Sequence, residues 1–142
     1  MPVYATRQEM IDRFGEAEIR QLTDRRDPPA GAIDDTVLDG ALADADGMVD
    51  SYLAGRYQLP LASVPKILKR YACDIARYFL WKDNAGDTVR RAYEDAEKFL
   101  KAVAAGTVAL GLDASNQPVG VADGGVSFNE SRRVFGGERE IG

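Results

Sequence analysis

Three long stretches of this chain place apolar residues three or four positions apart, which is the period of an α-helix that buries one face. The spacing predicts helices over about 34–54, 65–81 and 87–105. The side chains expected on the buried faces are Leu38, Leu42, Ala45, Val49, Tyr52 and Leu53 in the first stretch, Ile67, Leu68, Tyr71, Ala72, Ile75, Tyr78 and Phe79 in the second, and Val89, Tyr93, Ala96, Leu100 and Val103 in the third. Each face needs a partner, so we expect one helical bundle.

Residues that commonly begin or end helices stand at the edges of these stretches. Aspartate and threonine side chains can cap a helix N-terminus, proline suits the first turn, and glycine often follows the last turn. The expected boundary residues are Asp34 or Asp35 with Gly55 for the first stretch, Pro65 with Trp81 for the second, and Asp87 or Thr88 with Gly106 for the third.

A further helical segment is expected near the N-terminus, over about 6–25. Thr6 followed three residues later by Glu9 forms a capping box, in which each residue satisfies a free backbone donor at the start of a helix. The segment is expected to break near Phe14 and Gly15 into two short helices. The paired prolines Pro28 and Pro29 then predict a loop, because proline cannot continue a helix.

The composition changes from residue 107 onward, where seven glycines and no persistent period occur before the C-terminus. We expect a mostly α-helical protein, with a small antiparallel bundle of about four helices in residues 1–106 and an extended, glycine-rich arm in residues 107–142. Short β segments would fit clusters such as 107–110. The arm residues expected to bind a partner groove by strand addition are Val126, Phe128, Arg132, Arg133, Val134 and Phe135. The alternative is that Phe135 folds back onto its own bundle.

Composition and charge exclude several classes of function. Hydrophobic residues make up 45% of the chain and charged residues 29%, which is typical of a globular protein rather than a disordered one. The net charge of −5 and the pI of about 4.8 argue against a general nucleic-acid binder. The chain has no histidine and one cysteine, Cys73, so histidine-dependent triads, nearly all zinc sites and an internal disulfide are excluded. We expect no enzyme activity, cofactor, signal peptide or membrane span.

Four aspartates on the first long helix form a row, with side chains within a sector of about sixty degrees. They are Asp35, Asp39, Asp46 and Asp50. A solvated face beside the buried stripe is the simplest interpretation. A negative wall facing DNA, a docking site for a basic partner and a metal site are the alternatives, although a metal would need ligands from more than one element.

Cys73 falls outside the main apolar stripe of its helix, on the side that also carries Leu80. These residues are expected either to be buried within the domain or to contact a neighbouring subunit. Arg70 and Arg77 flank Cys73 at helical spacing, which would suit a reactive thiol only if they lowered its pKa.

Three parts of the sequence resemble, in order and spacing, the head–tail connector (neck adaptor) family of Mu-like phages. The matching parts are residues 4–25, the loop Gly55-Arg56-Tyr57-Gln58-Leu59-Pro60-Leu61 with Val64-Pro65, and the stretch Asp74-Ile75-Ala76-Arg77-Tyr78. The terminal Arg132-Arg133-Val134-Phe135 is only loosely similar to the arginine-rich C-terminus of the family, and the glycine-rich ending departs from it.

The resemblance implies a small, non-enzymatic helical adaptor of the virion neck, assembled in the bacterial host cytoplasm. Such proteins form a ring below the portal once DNA is packaged and join the capsid to the tail. The implied partners are the portal protein, neighbouring copies in a dodecamer that matches the portal, and the tail or a stopper protein. DNA would pass through the ring, with the acidic row facing the channel.

Two other functions are compatible with the sequence. A stopper or tail-completion protein of the same neck would bind the tail rather than the portal. A small helical DNA-packaging accessory would instead bind DNA with a steep dependence on salt, which the acidic charge disfavours.

Overall fold

The computed structural model describes residues 3–110, and this part of the chain is mostly α-helical, with five helices and no strand. The helices are α1 (Arg7–Phe14), α2 (Glu16–Thr23), α3 (Asp35–Leu53), α4 (Lys66–Trp81) and α5 (Asp87–Ala104), and a short 3₁₀ turn, Lys82–Asn84, follows α4. The predicted fold class is therefore confirmed. The β-prone residues 107–110 form no strand. None of the helices in residues 3–110 has the length and apolar character needed to cross a membrane.

The predicted break in the N-terminal segment is confirmed. Thr6 begins α1, and its Oγ1 accepts a 3.2 Å hydrogen bond from the backbone N–H of Glu9. Gly15 separates α1 from α2 with φ of 91°, in the region that glycine occupies without a steric penalty. Gly15 therefore allows the chain to change direction between the two short helices.

Most boundaries of the long helices agree with the prediction. Asp34 caps α3, and its carboxylate accepts hydrogen bonds from the backbone N–H groups of Thr36 and Val37 at 3.0 and 3.4 Å. Pro65 directly precedes α4, which ends at Trp81. Gly106, with φ of 83°, follows α5.

One boundary prediction is wrong. The N-cap of α5 is Gly86, without a side-chain hydrogen bond, rather than Asp87 or Thr88. Asp87 is instead the first helical residue, and its carboxylate binds Arg90 at 2.7 Å. Gly55 follows the C-cap of α3, Ala54, as Gly106 follows the C-cap of α5, Ala105, but Gly55 does not have a positive φ.

Side-chain contacts show that α3 and α5 run in the same direction. The hydroxyl of Tyr93 donates to Sδ of Met48 at 3.9 Å, and the hydroxyl of Tyr52 donates to Oε2 of Glu97 at 3.5 Å. The later residue of α3 contacts the later residue of α5, as expected when two helices are parallel.

Helix α4 runs antiparallel to α5. The ring of Tyr78 stacks on Tyr93 with centroids 4.1 Å apart, and Tyr71 packs on Phe99 at 4.7 Å. Helices α3, α4 and α5 all contact one another, and α1 and α2 pack against both α3 and α4. The result is a three-helix bundle with two short helices across one side, around a continuous apolar core.

Ile67 departs from the predicted buried stripe of α4. Its spacing places it with Leu68 and Tyr71, yet 37% of its surface is exposed. Leu68, in the same first turn of α4, is fully buried, so the core reaches this turn and Ile67 stands at the margin of the buried face. The helical period was correct, but the predicted stripe was too wide on this side.

Candidate partner-binding surfaces

The N-terminal segment is fastened to α3 by two of the four aspartates in the predicted row. The carboxylate of Asp46 accepts hydrogen bonds from the backbone N–H groups of Val3 and Tyr4 at 2.6 and 3.1 Å. The buried hydroxyl of Tyr4 donates to Oδ1 of Asp50. Burial, followed by the hydrogen bond to Asp50 and the charges of both carboxylates, raises the pKa of Tyr4, so this phenol remains a donor.

The row is therefore not one continuous solvated face. Asp46 is buried, with 9% of its surface exposed, because the N-terminal segment lies over it. Asp50 is half-buried, Asp35 is exposed and forms an ion pair with Arg7 at 2.8 Å, and Asp39 is exposed. A channel-facing role is wrong for Asp46 and stays a prediction for the exposed members. Within residues 3–110 no group of three or more His, Cys, Asp or Glu side chains could hold a metal ion. The four aspartates of the row therefore do not form a metal site.

The outer surface of α3 carries small and acidic side chains. From Asp39 onward its exposed residues are Asp39, Gly40, Ala43, Asp44, Gly47 and Ser51. The sequence from residue 27 to residue 55 has no lysine or arginine, and Arg25 and Lys82 line a cleft beside Gly40 and Asp44. We refer to these six residues as the outer surface of α3.

A cleft of about 270 Å³ lies between α4 and α5. It is lined by Arg70, Tyr71, Asp74, Thr88, Arg91, Ala92 and Asp95, and we refer to it as the α4–α5 cleft. Burial raises the pKa of the half-buried Asp74, and the nearby Arg70, Arg13 and Arg77 partly offset this effect. The exposed Ile67 lies about one helical turn from Arg70, on the same side of α4.

A larger cleft, of about 500 Å³, lies where α2 and α4 end. Glu18 is paired there: it accepts from Arg77 at 2.7 and 3.1 Å and from the indole N–H of Trp81 at 3.3 Å. Arg25 donates to the carbonyl of Leu80 at 3.1 Å. The sequence reasoning missed this network, although the four-residue spacing of Arg77 and Trp81 places both on one face of α4.

Cys73 is wholly buried in the core, beneath α1 and α2. Burial raises the pKa of its thiol to about 12, and its Sγ lies 3.9 Å from Oε1 of Glu9. The expectation that Cys73 and Leu80 are buried within the domain is confirmed, and the alternative, a contact with a neighbouring subunit, is therefore wrong. An activated thiol is also wrong, since the pKa moves upward.

The last described residue, Leu110, is held by the loop that follows α3. The backbone N–H of Leu110 donates to the hydroxyl of Tyr57 at 3.1 Å, and both residues are buried. Just before it, Gly106 packs so closely on Arg56 that a Cβ would lie 2.8 Å from the guanidinium carbon.

The remaining predicted interface residues lie outside the described part of the chain. They are Val126, Phe128, Arg132, Arg133, Val134 and Phe135. Their contact with a partner stays a prediction.

Comparison with known proteins identifies relatives over nearly the whole chain. The family model for bacteriophage Mu Gp36 matches residues 4–128. The Mu-like prophage FluMu protein gp36 of Haemophilus influenzae is 41% identical over 136 residues, which cover 96% of this chain and 94% of that protein. Gene product J of Escherichia phage Mu is 34% identical over 110 residues, covering 78% and 77% of the two chains.

Proposed function

Because this chain belongs to the bacteriophage Mu Gp36 family, we propose that it is a structural protein of a Mu-like phage and acts as its head–tail connector. It forms a homo-oligomeric ring below the portal, extends the DNA channel and joins the capsid to the tail. The observation that carries this proposal is the family match over residues 4–128, which includes the whole helical bundle and continues beyond it.

The chemistry of the described residues supports a role without catalysis. The single cysteine is buried with a raised thiol pKa, and the sequence has no histidine to act as a general base. In the larger cleft, Glu18 is held by Arg77 and Trp81, and Arg25 is held by a backbone carbonyl, so neither charged side chain is free to act on a substrate. This arrangement favours a protein that works through its surfaces.

We propose that its partners are the portal protein, neighbouring copies of itself and a tail or stopper protein, all at the virion neck. The net charge of −5 would repel the phosphates of passing DNA, which would allow the duplex to move without being held. The predicted arm, residues 107–142, includes Leu110, whose backbone N–H is held by the hydroxyl of Tyr57. The rest of the arm would contact a neighbouring copy or the portal protein.

Complementation of a phage or prophage deleted for this gene tests the proposal. Without the chain, we expect DNA-filled heads and separate complete tails in electron micrographs, and wild-type protein supplied in trans should restore tailed particles that contain it. The protein should also co-purify with isolated portal. Co-purification with tails alone would favour the stopper function, and strongly salt-dependent DNA binding would favour the packaging accessory. Normal tailed particles lacking the protein would contradict all three.

A further inference from the structure

We propose that the outer surface of α3 in one copy docks into the α4–α5 cleft of the next copy. This interface rests on the proposed function in one respect, which is that the chain assembles with itself as a ring. Two different surfaces of the bundle form the contact, so each copy uses its α3 surface to bind one neighbour and its α4–α5 cleft to bind the other.

The two surfaces lie on opposite sides of the bundle. Helices α3, α4 and α5 all contact one another, so α3 fills one of the two grooves between α4 and α5. The α4–α5 cleft is lined by residues of those two helices alone and is therefore the other groove. A contact between opposite surfaces repeats from copy to copy, and it closes into a ring when the rotation permits.

The charges of the two surfaces are complementary. Asp39 and Asp44 are exposed on the outer surface of α3, in the stretch of sequence that has no cation. Arg70 and Arg91 are exposed at the cleft. Within residues 3–110 none of these four side chains forms an ion pair with another residue of its own chain.

The cleft also contains two carboxylates, and further charged side chains stand around it. Asp74 is half-buried between the helices and Asp95 is exposed. Lys66 and Lys98 stand about one helical turn from Arg70 and Asp95 and are both exposed. Asp87 and Glu94 also stand about one turn from Arg91, but both are paired with Arg90. The unpaired Arg70 and Arg91 therefore favour an acidic surface over a basic one as the occupant.

The shapes of the surfaces suit the packing of a helix into a groove. A Cβ added at Gly40 or Gly47 would meet no heavy atom within 4 Å, so a neighbouring helix could approach the backbone of α3 closely. The exposed large apolar side chains of residues 3–110 are Val3 and Ile67. Val3 lies beside α3 through its bond to Asp46, and Ile67 lies near the cleft, so each surface offers one apolar side chain for burial.

Charge reversal on each surface tests the pairing. The α3 variant carries Asp39→Lys and Asp44→Lys, and the cleft variant carries Arg70→Glu and Arg91→Glu. Sedimentation of the full-length chain should show concentration-dependent association of the wild type and at least about tenfold weaker association of either variant alone, because like charges would then face each other. An equimolar mixture should regain the wild-type association, since every interface of an alternating assembly is again complementary.

Asp12→Lys with Asp83→Lys is the matched control, because it makes the same change in charge on exposed residues away from both surfaces. It should associate like the wild type. Thermal unfolding checks that each variant is folded, and Arg91→Glu alone replaces the cleft variant if the double substitution prevents folding.

Three results would overturn the interface: a wild type that stays monomeric up to about 1 mM, single-surface variants that associate normally, or a mixture that fails to recover. If the mixture recovers association but virions lack the protein, the interface would be supported and the connector function would be contradicted.

Discussion

The carboxylate of Asp46 accepts the backbone N–H of Tyr4 at 3.1 Å, and its second oxygen accepts the N–H of Val3 at 2.6 Å. An aspartate in the middle of α3 thus acts as the acceptor for two backbone donors that precede the first helix. The hydroxyl of Tyr4 adds a bond to Asp50, one helical turn further along α3. The N-terminal segment therefore has a fixed position against the longest helix of the bundle.

Replacing Asp46 with alanine should destabilise the bundle. The substitution leaves two backbone donors without their acceptor, and buried unsatisfied donors cost about 1–3 kcal/mol. Chemical unfolding should report a loss of this size. Asp39→Ala, on the exposed side of the same helix, should change the unfolding free energy by less than about 0.5 kcal/mol. Equal losses in the two variants would show that Asp46 does not anchor the N-terminal segment.

The hydrogen bond of Tyr4 should make part of the stability dependent on pH in the alkaline range. The pKa of Tyr4 is raised in the folded chain above its ordinary value of 10.0. The unfolded chain therefore loses this proton first, so the contribution is complete below pH 10 and declines as the pH rises above it.

Comparison with Tyr4→Phe isolates this effect, because all other titrating groups are shared by the two proteins. The wild type should be the more stable protein at pH 8, by about 0.5–1.5 kcal/mol. Its advantage in urea unfolding should shrink above pH 10. A difference that stays constant between pH 8 and pH 11 would contradict the raised pKa.

Gly106→Ala should strain the exit from α5 in two ways. A side chain at φ of 83° costs about 1–2 kcal/mol, and the new Cβ would also collide with the guanidinium of Arg56. Thermal unfolding should show the combined loss. Repeating the substitution in an Arg56→Ala background should remove the collision and leave the backbone strain, so an identical loss in both backgrounds would rule out the close packing of Arg56.

Cys73 should be protected from thiol reagents in the folded chain. It is wholly buried with a pKa of about 12, so little thiolate is present at neutral pH. Alkylation of the native wild type should be at least about a hundredfold slower than alkylation of Ser51→Cys in a Cys73→Ala background, where the cysteine is exposed on α3. Unfolding both proteins in urea should make the rates similar. Rapid alkylation of native Cys73 would contradict its burial.

The helices could be predicted from the sequence because their signals are local. The apolar period, the cap at Asp34 and the break at Gly15 each depend on residues within one or two turns. The burial of Asp46 could not be predicted in this way. Its spacing groups it with Asp39, and what distinguishes the two is a backbone segment more than forty residues earlier in the chain.

Cys73 and Ile67 also show that burial cannot be predicted from helical period alone: one is more buried than its position in the pattern suggests, and the other is less buried. Cys73 lies outside the main stripe of α4 but is buried, because α1 and α2 cover that side. Ile67 was assigned to the stripe but is exposed, because it stands at the margin of the stripe, whereas Leu68 in the same turn is fully buried. Helical period identifies a face, whereas burial depends on which elements pack against it. Surfaces for partners have no comparable local signal, and here they emerge from the placement of whole helices.

A cryo-electron microscopy reconstruction of the head–tail junction of the phage that encodes this chain tests the central claim most directly. The account predicts a closed ring of this protein between the portal and the tail, with the outer surface of α3 in each copy against the α4–α5 cleft of the next. A junction in which another protein occupies that position, and in which this helical bundle is absent, would contradict it.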